Sequence, residues 1–448
     1  MRSVVLLASF LASALGAQAQ GTGSRGPGTE RRGAASPQLP APSPQPPGSE
    51  LTIYLMTMGP GDPVWERFGH NAIRIVDASR GTDSVYNWGT FDFAQPNFIG
   101  RFMTGNTEYW LQSDGMAETV AAYRYYNRSM WVQELDFTPT ERAAVRDFIA
   151  WNAQPEHRYY RYDYYLDNCS TRVRDIIDRA VGGQLKTALT ARLTNTTYRF
   201  HTQRALAPEG VVGLATNVAL GELADRPISA WETAFLPEQL QEQVRSLQVK
   251  SADGTTHPLV RNEQQLFAAQ RPALPASPPD QMVRNLVIGA VIAALLALLA
   301  RAAVAGRRVA RIAFTTIATI WAAISGILGV ALVIAWTATR HIFIGHNENI
   351  LQFDPLALIL AVVLPLAIAR GRAVGAALTL TRVIAVVSLL GLAMQLLPWF
   401  NQENGAVIAL ALPANLVLAW AVAGLTAQRA GAPRRSTASR RVVSRSAA

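Results

Sequence analysis

The sequence predicts an α+β soluble domain followed by an all-α membrane domain of five helices, and three observations carry that reading. Residues 51–270 combine mixed polarity and many aromatics with both alternating and helical patterns, as one soluble domain of ordinary size does. Residues 283–428 are instead dominated by Ala, Leu, Ile and Val, in runs near the ~20 residues that cross a bilayer. Between them lies a Pro-rich hinge, 271–282, opening Arg271-Pro272-Ala273-Leu274-Pro275.

Residues 1–19 read as a secretory signal: Arg2, an apolar stretch from Val4 to Leu15, then Ala17-Gln18-Ala19 as a small-x-small cleavage site. No cysteine follows that site, so the lipid-modified cysteine of a lipoprotein is lacking. Residues 20–50 are mainly Gly, Pro, Ser and Arg, which bury too little surface to order themselves, and form a flexible leader. Strands are predicted at 51–56 and 72–76, and a third begins at Val85. Thr138 as N-cap, Pro139 at the first helical position and Glu141 closing a capping box start a helix that turns Val145, Phe148 and Ile149 inward. A second helix opens around Cys169, among the N-cap types Asp167, Asn168, Ser170 and Thr171, continues through Val173, Ile176 and Ile177, and stops at Gly182-Gly183. The soluble part is therefore a set of helices packed on a small antiparallel sheet.

Membrane helices are placed at 283–300, 312–336, 355–370, 374–397 and 405–426; the third is short and contains Pro365. The formal charge of +10 is concentrated beside them, at Arg301, Arg307, Arg308 and Arg311, at Arg370 and Arg372, and in a basic tail, 429–448. With the soluble domain outside, five crossings put these arginines in the cytoplasm and the loops 337–354 and 398–404 outside, the positive-inside pattern. A nucleic-acid surface would place its charge within a folded basic domain, so no nucleic-acid partner is expected.

Cys169 is the one cysteine of the chain. In an exported protein it has no disulfide partner, which points to chemistry, and a helix start favours its thiolate by the dipole and unpaired N–H groups. A thiolate nucleophile needs a base. Of His70, His157, His201 and His257, His70 sits at the mouth of a strand, in Phe68-Gly69-His70-Asn71-Ala72-Ile73, where a ring is held and still faces a cleft. The outward loop holding His341, His346, Asn347, Glu348 and Asn349 is a candidate for binding a lipid head group or lining an acyl path. Its spacing matches no closed zinc pattern, and neither a metal nor another cofactor is expected. The ring and cation runs at 123–131 and 158–165 suit either the core or a membrane surface.

The segments Phe68–Ile75, Tyr86–Phe93 and Tyr162–Arg172 resemble the periplasmic domain of the Lnb-type lipoprotein N-acyltransferases. His341, Asn347 and Asn349, followed by Leu351 and Pro355, are similar to that family's outward-loop pattern. The resemblance implies a permuted papain/NlpC-P60-like thiol domain, with histidine before cysteine, at the bacterial inner membrane. It implies that Cys169 takes a fatty acyl chain from a phospholipid as a thioester and passes it to the N-terminal cysteine of a lipoprotein, with His70 as base. The orienting group would come from the following strand, Asn87 ahead of Asp92; Asn168 would help the oxyanion or cap the helix. From the residues themselves, Asp163 and Arg172 read either as a structural ion pair near the nucleophile or as part of the catalytic group. Two other readings use the same residues: a thiol hydrolase, either a cell-wall peptidase or amidase or a phospholipase, and a non-catalytic lipid- or peptide-binding membrane protein. A wall hydrolase needs one anchor, not five helices, and a binding module needs no cysteine at a helix start.

Overall fold

The computed structural model describes residues 46–431; the secretory signal, most of the leader and the basic tail from 432 lie outside them. Nine strands are described, β1 (Leu51–Met58), β2 (His70–Asp77), β3 (Thr82–Thr90), β4 (Glu108–Gly115), β5 (Met130–Leu135), β6 (Tyr159–Arg161), β7 (Gln248–Lys250), β8 (Thr256–Pro258) and β9 (Val260–Phe267). Seven of them form one antiparallel sheet in the order β6-β4-β3-β2-β1-β5-β9, and β7 pairs with β8. The sheet is larger than the three strands legible in the sequence. Its later members are short or carry polar residues at buried positions, such as Gln133, and do not read as alternating runs.

Among the described residues the N-terminal domain also has nine α-helices: α1 (Phe98–Thr104), α2 (Met116–Tyr125), α3 (Pro139–Asn152), α4 (Cys169–Ala180), α5 (Gln184–Thr190), α6 (Tyr198–Ala205), α7 (Gly210–Ala219), α8 (Ala230–Thr233) and α9 (Pro237–Ser246). The predicted capping box opens α3: Thr138 accepts from the Glu141 N–H and Glu141 accepts from that of Thr138. Both faces of the sheet are covered. Leu51, Ile53, Leu55, Ile73 and Ile75 pack on Val145 and Ile149 of α3, Val173 and Ile177 of α4, and Leu240 and Val244 of α9. On the other face Met56, Met58, Ala72 and Val85 meet Met116 and Val120 of α2. Strand alternation divides each strand between these two cores.

The C-terminal part is helical: α10 (Met282–Val304), α11 (Arg308–Ala338), α12 (Leu356–Pro365), α13 (Val374–Met394) and α14 (Gly405–Gly431). Four are long and apolar enough to cross a membrane, and the short 3-10 turns and helix around α12, bent by 42°, make a fifth if counted together. The bend lies between Leu351 and Leu356, ahead of the short third segment, which runs on as one helical stretch, Leu356–Arg370. Pro365 removes a backbone donor, and the chain continues as a π-helical turn, Leu366–Arg370. Backbones approach closely where glycine allows it: a Cβ at Gly326 would lie 2.1 Å from Leu358 N, and one at Gly329 2.1 Å from Phe353 O. Inside the bundle Trp321 Nε1 donates to Asn415 Oδ1, and Asn415 Nδ2 donates to Ser388 Oγ and Gln352 O.

The loop after α11 joins the two halves. Phe343 is buried against Tyr165 and Tyr198, with ring centroids at 4.7 and 4.9 Å. Asn347 Nδ2 donates to Val218 O and Ala219 O at 2.9 and 2.8 Å, Asn349 Nδ2 to Val218 O at 2.9 Å, and Gln402 Nε2 to Leu220 O at 3.0 Å. These carbonyls end α7, where a helix leaves its last acceptors without intrahelical partners. Asn347 and Asn349, expected as outward substrate-binding residues, are fully buried, with their amide nitrogens donating across the joint. Asn347→Asp puts an acceptor where two carbonyls need a donor, at a cost on the order of 1–3 kcal/mol. The variant is expected to melt several degrees lower in a thermal scan while its Cys169 still reacts with iodoacetamide at the wild-type rate in the cold; an unchanged melting point would refute this role.

Candidate active site

Cys169 is the first residue of α4, and Asn168 is the N-cap. The Asn168 Oδ1 accepts from the N–H groups of Ser170 and Thr171, both at 2.9 Å, and its Nδ2 donates to Tyr164 O and Phe235 O. Every polar atom of that side chain is therefore used in holding the helix start. Of the two roles expected for Asn168, the cap is the one these bonds serve. One residue further, the Ser170 hydroxyl lies 2.7 Å from both Asn71 Oδ1 and Ala234 O, fully buried. Asn71 follows His70 on β2, and its Nδ2 donates to Met56 O and Thr57 Oγ1. The strand bearing the histidine and the helix bearing the cysteine are thus tied together beside the pair.

Register carries the rest across the sheet. Asn87 on β3 lies opposite Ala72, and Asp114 on β4 lies opposite Val85, so His70, Asn87 and Asp114 project from one face of three adjacent strands. His70 Nε2 is 3.1 Å from Asn87 Oδ1, and Asn87 Nδ2 donates to Asp114 Oδ2 at 3.0 Å. A carboxylate only accepts, which turns the Asn87 amide nitrogen toward Asp114 and its oxygen toward His70. His70 must then donate from Nε2, and the lone pair resides on Nδ1. Gly89, at φ +110°, sits at an irregularity in the β3–β4 pairing, and a Cβ there would lie 3.6 Å from Cys169 Cβ and 3.9 Å from His70 Cε1. The cysteine and histidine therefore border one small space, kept open by a residue that needs glycine for both its conformation and its lack of a side chain.

Burial sets the resting protonation. Cys169 and His70 are half-buried, reachable but poorly hydrated. Burial pushes the Cys169 thiol above its ordinary range, against the opposing pull of the N–H groups of Asn71, Ser170 and Cys169 and of the Arg128 charge. This differs from the expectation of a thiol lowered by the helix start, because burial outweighs the pull of the N–H groups gathered there. Burial, with the Arg128 guanidinium, holds His70 at about 4 against the Asn87 hydrogen bond, which acts the other way. Both partners are neutral at rest. Arg128 is itself buried, donates to Gly59 O and pairs with Glu66 at 3.1 Å.

The remaining predicted residues fall elsewhere. Asp92 is exposed and accepts from the Ala94 N–H, so it does not orient His70. Arg172 pairs with Asp167 at 2.7 and 2.8 Å, while Asp163 accepts from the N–H groups of Tyr165 and Leu166, which corrects the Asp163–Arg172 pair. His341 donates from Nε2 to Phe102 O at 2.8 Å and lies 5.9 Å from the Tyr164 ring. Glu348 turns inward to Gln395 and Gln402, and His346 lies against Trp336. His157 stacks on Trp151, His201 bonds Thr196 and His257 faces Asp136. Sequence reasoning missed Asp114, Arg128, and the Asn71–Ser170 tie. Asn71 and Ser170 stand within the quoted motifs and Arg128 within the ring and cation run at 123–131, whereas nothing local marks Asp114.

Arg128→Gln removes the positive charge that opposes protonation of His70. The His70 pKa is then expected to rise from about 4 toward its ordinary 6.5, read from the ring-proton shifts of histidine-labelled protein against pH. A titration that stays in place would show that burial alone sets it.

Residues 45–208 match the family described as the Lnb N-terminal periplasmic domain. No match was found among curated proteins or among solved structures. The matched span holds β1 to β6, α4, and Cys169, His70, Asn87 and Asp114 together. With four to five apolar helices following, the protein is a membrane protein whose residues 45–208 are similar to the Lnb N-terminal periplasmic domain.

Proposed function

We propose that this protein is a cysteine-dependent acyltransferase of the bacterial inner membrane, with a permuted papain-like domain, that moves a fatty acyl chain from a phospholipid to the N-terminal cysteine of lipoproteins. The observation that carries the reading is the His70 ring beside Cys169, with Nε2 committed to Asn87 and Nδ1 left as the proton acceptor. His70 Nδ1 takes the thiol proton as sulfur attacks the ester carbonyl, so a thiolate exists only during the step. The Cys169 and Asn71 N–H groups, which already face the sulfur, are placed to receive the developing oxyanion. As the tetrahedral intermediate collapses, the C–O bond breaks and the imidazolium returns its proton to the leaving lysophospholipid oxygen. In the second half the lipoprotein amine attacks the thioester, His70 takes the amine proton, and that proton goes to the departing sulfur. The Asn87–Asp114 chain stabilises the imidazolium in both halves and holds the ring in place.

Protein in phospholipid vesicles is expected to show an intact-mass increase of one acyl group, mapped to Cys169 and removed by hydroxylamine. Adding a lipopeptide with a free N-terminal cysteine should return the mass to baseline and yield N-acyl peptide. Free fatty acid as the sole product would instead make the protein a hydrolase, and no adduct on Cys169 would remove the nucleophile. Since His70 must be neutral to act, thioester formation should hold at neutral pH and fall as pH drops through about 4. Gly89→Ala, which both strains the backbone and crowds the pair, is expected to slow thioester formation by on the order of 10².

A further inference from the structure

α1 carries Phe98, Ile99, Phe102 and Met103, two i,i+4 pairs that share one side of the helix. Arg101 leaves that side, reaching Asn106 O at 3.2 Å and Glu108 at 3.3 Å. Ile99, Phe102 and Met103, with Trp65 and Phe93 beside them, are each more than half exposed. So large a group of apolar side chains in water marks an interaction surface. Its place in the fold says with what. Gly105 ends α1 against the chain that leaves α11: a Cβ there would lie 3.3 Å from Arg340. Arg340 N donates to Thr104 O at 3.0 Å, and His341 donates to Phe102 O. α11 is one of the apolar membrane helices, and Trp336, exposed near its end, has the character of a residue at the head-group level. The patch therefore begins about where the membrane helix leaves the hydrocarbon.

The same rings run inward. Phe98 meets Phe93 at 5.0 Å and Phe91 at 5.9 Å, Phe91 meets Tyr109 at 4.9 Å, and Tyr109 stacks on Tyr162 at 4.2 Å. Tyr109, Tyr162 and Cys169 pack against one core cluster. These touching rings form an apolar track of side chains that runs from α1, beside the end of α11, to the core cluster against which Cys169 packs.

We propose that α1, with Trp65 and Phe93, is set into the outward leaflet of the bilayer and delivers a phospholipid acyl chain along this track to Cys169. The insertion stands on the geometry alone; the delivery rests on the acyl-transfer reading above. The full-length chain has one cysteine, so Cys169→Ala with Ile99→Cys or Met103→Cys carries a single spin label. In phosphatidylethanolamine–phosphatidylglycerol vesicles both labels should be more accessible to oxygen than to a water-soluble nickel complex, with a control at Ala252→Cys, in an exposed turn, showing the opposite. Nickel accessibility at 99 and 103 equal to that at 252 would overturn the proposal, and so would dipolar broadening between labels, which would assign the patch to a second copy of the chain. In the chain with Cys169 intact, Ile99→Glu with Met103→Glu should reduce acylation from vesicle lipid by on the order of tenfold or more, while iodoacetamide still modifies Cys169 at the wild-type rate. Acylation unaffected by these changes would refute delivery along the track. A membrane-inserted label in a protein that never acylates Cys169 would support the insertion and remove the acyl-transfer reading.

Discussion

Ser170 has one hydroxyl proton and sits, fully buried, against two acceptors, Asn71 Oδ1 and Ala234 O. That contact fixes where α4 meets the sheet. Asn71 is locked in turn by Met56 and Thr57 on β1, so the helix start is referenced to two strands at once. His70 precedes Asn71 and Cys169 precedes Ser170, and each functional residue is therefore one peptide unit from a buried anchor. A ring and a thiol held this way need no ion pair to find each other.

The same logic extends outward through amide groups. Asn168 holds Tyr164 O and Phe235 O while capping α4; Asn347, Asn349 and Gln402 hold the last carbonyls of α7; Asn415 holds Gln352 inside the bundle. Carboxamides supply a donor and an acceptor without charge, which suits sites where an ion would pay a large desolvation penalty. Between the domains they work with aromatic packing: Phe343 enters the group formed by Tyr165, Tyr198 and Phe235, four residues before the nucleophile at its nearest point. The membrane loop is thus part of the foundation under the candidate site.

Much of this could be read from the sequence where the cause is local. The capping box at Thr138, the cap beside Cys169, the Gly182-Gly183 stop and the five apolar stretches rest on neighbours in the chain or on simple periodicity. Asn87 was legible as a partner of His70 because adjacent strands place it there, whereas Asp92 lies just beyond the end of β3 and turns back to its own loop. Asp114 escaped notice since it is supplied by β4, whose register against β3 no local pattern specifies. The direction of the thiol shift is not legible because burial of Cys169, which depends on the sheet and helices packed around it, outweighs the helix-start N–H groups that a local pattern shows. The burial of Asn347 and Asn349 is not legible for a related reason: polar residues in a loop look solvated until the carbonyls of a distant helix, α7, are brought to them.

The neutral resting state of Cys169 and His70 has a consequence for survival outside the cytoplasm. Peroxide and disulfide reagents attack thiolates far faster than thiols, and oxidation past the sulfenic stage is irreversible for nearly all proteins. A lone cysteine that keeps its proton until an ester carbonyl arrives is shielded by its own acid–base chemistry. With no second cysteine in the chain to resolve a sulfenic acid, that shielding is the protection the fold itself provides.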